Sequence, residues 1–415
     1  MKALRLIFLV VILATSSFLG FKIFQQEKQN QTLQDHKVEL LDVKYGLFNV
    51  DEWKAVFADL IAKKMNSFTI SNTDEDALKQ EISAFLEKAV DGFEERYNEE
   101  NKGNGITNLL KRSITSFAGI FDQVRKDIPI FTDEIYNFLT KGESQEMLKK
   151  YIEEQLDSYT KDNFSATDYS VMNAIIKLYG GTDKASTLQI IDTKIAETYQ
   201  HKDIYYYTLL GLFLLALALL IFLKNKQKSE YLIFIAYSIL FLALGVFLPM
   251  IAIDARIEEL NFPFLGETIT FEDQIIFYKS KSIMEVVDLM MSQGRLDLIF
   301  VGLLVMLFSV LFPVSKLLSS IGYLFSQKLR NNGVIKFLTF KTGKWSMADV
   351  FVIALFMAYL GFDGLITEQL KQLGNLTNSA EVLTTNNSAL LFGFYGFTGF
   401  VFFSLFISQK IKRKS

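Results

Sequence analysis

LIFVGLLVMLFSVLFPVSKLLSSIGYL, residues 298–324, is the stretch of sequence that decides the fold. It is long enough to cross a bilayer as an α-helix, for which about 20 apolar residues suffice. Half of the 415 residues are hydrophobic, and mean hydropathy is +0.23. Five more apolar segments share the character of this stretch, and they are residues 4–24, 204–223, 231–253, 350–366 and 390–407. The sequence therefore predicts an all-α, polytopic membrane protein with six transmembrane helices.

Basic residues indicate the orientation of these helices. Lysine and arginine cluster in four places, which are the start of the chain, residues 224–228, residues 328–344 and a tail at 410–415. If all six segments cross, the four clusters lie on one side, and the positive-inside rule makes that side the cytoplasm. Both termini are then cytoplasmic, and residues 25–203 are exported.

Residues 1–24, which contain the first apolar segment, fit two roles. Its basic start and the small residues at 14–17 are typical of a secretory signal peptide. Its continuation through Phe18, Leu19 and Phe21 favours an uncleaved transmembrane anchor. Either role exports the residues that follow.

Residues 25–203 are predicted to form a helical domain outside the membrane. Apolar residues recur there at spacings of three and four, which is the stripe of an amphipathic helix. The stripes cover residues 51–67, 76–97, 106–124, 132–139 and 144–159. Pro129 is expected to separate the third stripe from the fourth. A last helix, 185–201, runs towards the second span without Pro or Gly until Gly211, so it is either a linker or a mechanical connection into the membrane.

Composition excludes several classes of function. The chain has no Cys, which rules out disulfides and thiolate metal sites. Only His36 and His201 are available for a histidine metal site or a catalytic triad. We therefore expect no metal, no cofactor and no catalytic residues, so the protein is not expected to be an enzyme. A net charge of -3 argues against nucleic acid as a partner.

Lys316 and Asp349 are ionisable residues inside or beside apolar segments. Such groups cost from a few to more than about ten kcal/mol at membrane depth unless they are paired, hydrated or able to reach the interface. They therefore mark a candidate functional site, with snorkelling to the interface as the alternative. Pro249 closes the third span and Pro313 interrupts the fourth, and kinks beside a buried lysine predict a polar cavity.

A set of motifs in the second half of the chain resembles the paraquat-inducible protein A family of bacterial inner-membrane proteins. The resemblance covers residues 230–407. The motifs are Leu248-Pro249, an acidic loop with Leu265-Gly266-Glu267-Thr268-Ile269-Thr270, Phe312-Pro313 followed by Lys316, and Trp345-Ser346-Met347-Ala348-Asp349-Val350-Phe351.

The resemblance implies a four-helix membrane module, residues 230–409, which follows a separate transmembrane helix at 204–223. It implies a bacterial inner membrane, membrane lipid as the ligand, and a periplasmic mammalian-cell-entry domain protein as the partner that receives or delivers the lipid. The residues carried over by position are Lys316, Trp345, Ser346, Met347 and Asp349. A signalling or scaffold protein that senses the envelope is the alternative function.

Three departures from the family pattern limit what the resemblance implies. The usual zinc ribbons require Cys, which this chain lacks, so metal dependence is not carried over. The module occurs once here, whereas many members have two. A lysine that is common late in the fifth span aligns near Gly361, and Asp363 lies close by instead.

Overall fold

The structure is a computed structural model that describes residues 2–46, 49–65, 75–99, 118–141, 144–160, 167–264, 267–341 and 381–414. Helices dominate it, which confirms the predicted all-α membrane class. Five described helical segments are long and apolar enough to cross a membrane, namely Ala3–Leu40, Lys184–Phe222, Lys228–Phe247, Leu296–Phe325 and Phe392–Lys412. The remaining predicted span, residues 350–366, lies outside the described residues.

Four helices form a separate cluster ahead of the membrane bundle. They are α2 (Val50–Met65), α3 (Glu75–Glu99), α4 (Ala118–Lys141) and α5 (Gln145–Thr160). Ile82, Leu148 and Ile152 are fully buried in the core that these helices share. The apolar stripes at 51–67, as far as residue 65, and at 76–97 and 144–159 are thus confirmed as helices, and residues 66–67 and 106–117 lie outside the described part.

The predicted break at Pro129 is wrong, because α4 continues through it. A proline inside a helix removes one backbone hydrogen bond and costs roughly 3 kcal/mol. Val124, Ile128 and Phe131 lie on one face of α4 and are buried in the domain core. Burial of a large aliphatic or aromatic side chain contributes about 1.5–3 kcal/mol, so packing on both sides of Pro129 outweighs the lost bond.

Two long helical connections join this domain to the bundle. α1 (Lys2–Leu40) is a single helix of 39 residues, so it extends well beyond the predicted span. α6 (Ser170–Tyr179) ends at Gly180, whose φ of 71° is the left-handed conformation of a helix C-cap. α7 (Lys184–Tyr199) and α8 (Lys202–Phe222) follow, and they are separated only by Gln200 and His201. The segment that the sequence left open as a linker or a mechanical connection is therefore two helices with a two-residue break.

The membrane bundle contains α1, α8 and α9 (Lys228–Phe247), together with the helices that follow the sheet. These are α10 (Ile283–Ser292), α11 (Leu296–Met306), a π-helical segment (Leu307–Leu311), α12 (Phe312–Phe325), α13 (Gln327–Asn331), α14 (Gly333–Lys336), a second π-helical segment (Phe337–Lys341) and α15 (Phe392–Lys414). The bundle core is aromatic, and Phe397, Phe400 and Phe403 of α15 are among its most buried side chains.

A four-stranded antiparallel sheet, which the sequence did not predict, stands at one end of the bundle. β1 (Ile251–Phe264) pairs with β2 (Glu267–Lys281) on one side and with β3 (Glu381–Asn386) and β4 (Ala389–Leu390) on the other. The Met250 N–H donates to the carbonyl of Lys281, and the Leu391 N–H donates to the carbonyl of Met250. We call the end of the bundle that carries this sheet the outer end.

Candidate functional site

Lys316 lies inside the bundle. Its side chain is on α12 and is only 5% exposed. Its Nζ donates a hydrogen bond of 2.7 Å to the Oγ of Ser404 on α15. Ser404 is itself buried. The lysine therefore bridges two transmembrane helices that are distant in sequence, and this geometry contradicts a side chain that merely extends to the interface.

The helix carrying Lys316 changes its winding just before the lysine. The Phe312 N–H bonds to the carbonyl of Leu307, five residues earlier, as in a π-helix. Pro313 follows in the first turn of α12 and has no N–H to donate. Such π-helical turns occur frequently at functional sites because they redirect the side chains that follow. Pro313 and Lys316 therefore belong to one local feature of the helix.

Pro249 belongs to a different level of the bundle. It follows α9 at the outer end, where its carbonyl accepts from the Gly393 N–H at 2.9 Å. Gly393 and Ser404 lie on the same helix about 16 Å apart, at a rise of 1.5 Å per residue. The structure therefore does not bring Pro249 to Lys316, although the sequence placed both at one polar site. Pro249 ends a helix and starts the sheet.

The other predicted site residues lie outside the described residues. They are Trp345, Ser346, Met347, Asp349 and Asp363. The predicted pairing of Lys316 with Asp349 consequently stays a prediction.

A buried layer of hydroxyl groups and aromatic rings surrounds the level of Ser404. The ring of Tyr237 on α9 lies 5.2 Å from that of Phe403, the neighbour of Ser404. The Tyr237 hydroxyl lies 3.1 Å from the Oγ of Ser16 on α1. Ser238, the next residue on α9, is fully buried. The sequence analysis did not identify these hydroxyl groups. They could have been found as single polar residues within otherwise apolar helices.

α9 and α15 approach each other through glycines. A Cβ built on Gly245 would lie 2.5 Å from the backbone nitrogen of Phe397, and one on Gly396 would lie 3.1 Å from the nitrogen of Gly245. Small residues let membrane helices make close backbone contact, and van der Waals packing is a main source of their association. This close contact fixes α15, and with it Ser404, against the rest of the bundle.

A second polar group, which we call the boundary cluster, lies where α1 and α8 leave the bundle at its outer end. The Tyr206 hydroxyl donates to the buried carboxylate of Glu27, and Lys202 Nζ lies 3.9 Å from that carboxylate. Lys28, the next residue of α1, forms a 2.6 Å ion pair with Glu285 of α10. These contacts join the N-terminal helix to the module.

Hydrogen bonds stabilise the ionised form of Glu285. Burial alone raises its pKa, but hydrogen bonds from the Lys28 side chain, the Ser282 backbone and the Gln31 side chain outweigh burial and hold the pKa below its usual value. The carboxylate also completes the capping box that begins α10. Within the described residues, no group of three or more His, Cys, Asp or Glu side chains is arranged to hold a metal ion.

Residues 268–372 match the family model described as Paraquat-inducible protein A. The match confirms the resemblance drawn from the sequence motifs. It includes the π-helical turn, Pro313 and Lys316, and it ends before α15, which supplies Ser404. Neither the curated proteins nor the solved structures that were compared gave a match to the chain.

Proposed function

Because residues 268–372 match the paraquat-inducible protein A family, we propose that this multi-pass membrane protein is the inner-membrane subunit of an envelope lipid-trafficking system. It hands lipid between the bilayer and a periplasmic partner, a mammalian-cell-entry domain protein. In this proposal both termini are cytoplasmic, and the helical domain and the sheet are periplasmic. The protein performs no catalysis and requires no metal.

One observation carries this proposal, and it is the buried lysine of the matched segment. An amine at membrane depth is costly, and such groups usually mark pathways for a substrate or an ion. Lys316 is held away from the aqueous ends of the bundle by its bond to Ser404, and it follows a π-helical turn and a proline. An ammonium group in that position suits the anionic phosphate of a lipid headgroup.

The experiment compares Lys316→Ala, Lys316→Met and Ser404→Ala with Lys328→Ala in cells that depend on the full-length protein. Lys328 is an exposed lysine on α13, so it controls for the loss of one positive charge. Methionine keeps the length and apolar volume of the stem and removes only the amine. Abundance is measured by immunoblot, and barrier function is measured by the entry of detergent or of a large antibiotic.

We expect both Lys316 variants to lose barrier function at normal abundance, with Ser404→Ala intermediate and Lys328→Ala unchanged. Gentle purification followed by lipid mass spectrometry should detect bound phospholipid with the native protein and less with Lys316→Met. Full barrier function in both Lys316 variants would refute the proposed role of this site.

The near-continuity of α7 and α8 favours a second candidate, a scaffold or signalling protein. A helix that passes from the outer domain into the membrane with a two-residue break at Gln200 and His201 is suited to transmit force or position. This function requires a cytoplasmic partner, whereas lipid trafficking requires a periplasmic one. Protein mass spectrometry of the same purification separates the two.

A further inference from the structure

α10 and α11 form a helical hairpin at the outer end of the bundle. The turn between them contains Gly294, whose φ of 68° is the left-handed conformation that glycine adopts without strain. A Cβ on Gly302 would lie 3.2 Å from the Cβ of Met290 and 3.6 Å from the carbonyl of Val287. The two helices are therefore antiparallel and in close contact along their length.

This hairpin extends beyond the level where α9 ends and α15 begins. α10 begins directly after Lys281, whose carbonyl is bonded to Met250 at the end of α9. Its first turn lies beside α1, where Glu285 pairs with Lys28. Because α11 continues into α12 towards Lys316 and α10 is antiparallel to α11, α10 runs outward. The segment from 307 to 325 spans roughly 28 Å and already matches a hydrocarbon core of about 30 Å. α11 adds about 16 Å beyond it.

The tip of the hairpin is polar, which indicates that it lies in water. Arg295 and Asp297 form a 2.7 Å ion pair at the tip, and both side chains are mostly exposed. Asp288 on α10 is exposed as well. If the hairpin tilted into the hydrocarbon, these charges would enter the bilayer at a cost of several kcal/mol each.

One face of α11 is apolar and exposed, although α11 lies outside the bilayer-spanning segment. Leu296 is 84% exposed and Phe300 is 62% exposed, and Leu303 continues the same face. Leu307, which is half-buried, links this face at spacings of four to Leu311, and Val314 and Leu318 prolong it down the bilayer-spanning part of the helix. One apolar stripe, which narrows at Leu307, therefore runs from the lipid-facing surface of the bundle to a point outside it.

We propose that this stripe is a track for acyl chains, along which a phospholipid leaves the outer leaflet of the membrane for a periplasmic acceptor. Its outer part is the face formed by Leu296, Phe300 and Leu303, and its continuity with the lipid-facing surface at Leu311 to Leu318 identifies the occupant as a lipid tail. The proposal rests on the proposed function. It adds the exit route on the hairpin, which lies well outside the level of Lys316.

The test uses the full-length protein in vesicles of phosphatidylethanolamine and phosphatidylglycerol that contain phosphatidylcholine with a diazirine on one acyl chain. After photolysis, mass spectrometry of peptides maps the cross-links. Because the chain has no Cys, Leu296→Cys and Leu383→Cys also report exposure to water through the rate of reaction with an impermeant maleimide. Leu383 on β3 is 57% exposed and lies off the stripe, so it is the reference.

We expect cross-links at 296–303 as well as at 311–318, and similar maleimide rates for the two cysteine variants. In Phe300→Asp, the cross-links at 296–303 should fall about tenfold or more, as expected when an apolar contact of 1.4 kcal/mol or more is lost, while those at 311–318 persist. In cells, Phe300→Asp should lose barrier function and Leu383→Asp should keep it.

If Leu296→Cys reacts much more slowly with the maleimide than Leu383→Cys, the hairpin lies in the hydrocarbon and the proposed track is wrong. The absence of cross-links at 296–303 would also refute the track. If Phe300→Asp keeps barrier function while Lys316→Ala loses it, the track fails and the proposed function stands. If both variants keep barrier function, the proposed function itself fails.

Discussion

Gly245→Ala should destabilise the bundle far more than a chemically identical change elsewhere in the membrane. The new Cβ would lie 2.5 Å from the nitrogen and 2.6 Å from the Cα of Phe397, both backbone atoms that no side-chain rotation can move. Ordinary contact begins at 3.4 Å, so α9 and α15 must separate by close to 1 Å. Overpacking of this kind costs typically about 1–3 kcal/mol.

Gly211→Ala is the matched control for this experiment. Gly211 is also inside a transmembrane helix, but nothing lies within 4 Å of a Cβ built there. Alanine should be neutral or favourable at this position, because glycine is about 1 kcal/mol less favourable in a helix interior. Thermal unfolding of both purified variants in the same detergent measures the difference. Equal midpoints for Gly245→Ala and Gly211→Ala would refute the close helix contact.

Three further predictions concern other parts of the chain. Ile82→Ala removes a side chain with 0% exposure from the outer-domain core, so it should cost about 2–5 kcal/mol in denaturant unfolding; a loss below about 1 kcal/mol would contradict that core. Folding lowers the pKa of Glu285, so ionised Glu285 stabilises the folded protein. This stabilisation is complete above the ordinary pKa of a glutamate, and it is lost as the pH falls through the lowered pKa. The difference in unfolding midpoint between Glu285→Gln and the native protein should therefore be present at neutral pH and shrink as the pH falls below the ordinary pKa of a glutamate. A difference that does not depend on pH would exclude the ionised pair with Lys28. A single cysteine at Lys141 should react with an impermeant maleimide from outside the cell, whereas one at Asn332 should react only after permeabilisation. The reverse pattern would show that the orientation is inverted.

The sequence was sufficient for features that follow from local periodicity and burial cost. Apolar length predicted the five spans that the structure describes, because an unbroken run of roughly 20 apolar residues is typical of a transmembrane helix. Spacings of three and four predicted α2, α3 and α5. Lys316 could be identified as a candidate site residue because it is an ionisable residue within an apolar run, whereas the structure decided that it is buried and does not reach the interface. The family motifs could be recognised in the sequence because each is a short contiguous stretch of residues.

Only the tertiary structure decided the features that depend on distant parts of the chain. Ser404 lies 88 positions after Lys316, and no local pattern connects the two residues. The sheet combines a local hairpin of β1 and β2 with β3 and β4, which lie more than a hundred residues later, so no local pattern joins β3 and β4 to it. The helix through Pro129 persists because packing against other helices outweighs a local breaking signal. Sequence patterns report which groups must leave water, whereas pairing between remote segments depends on which buried surfaces fit together.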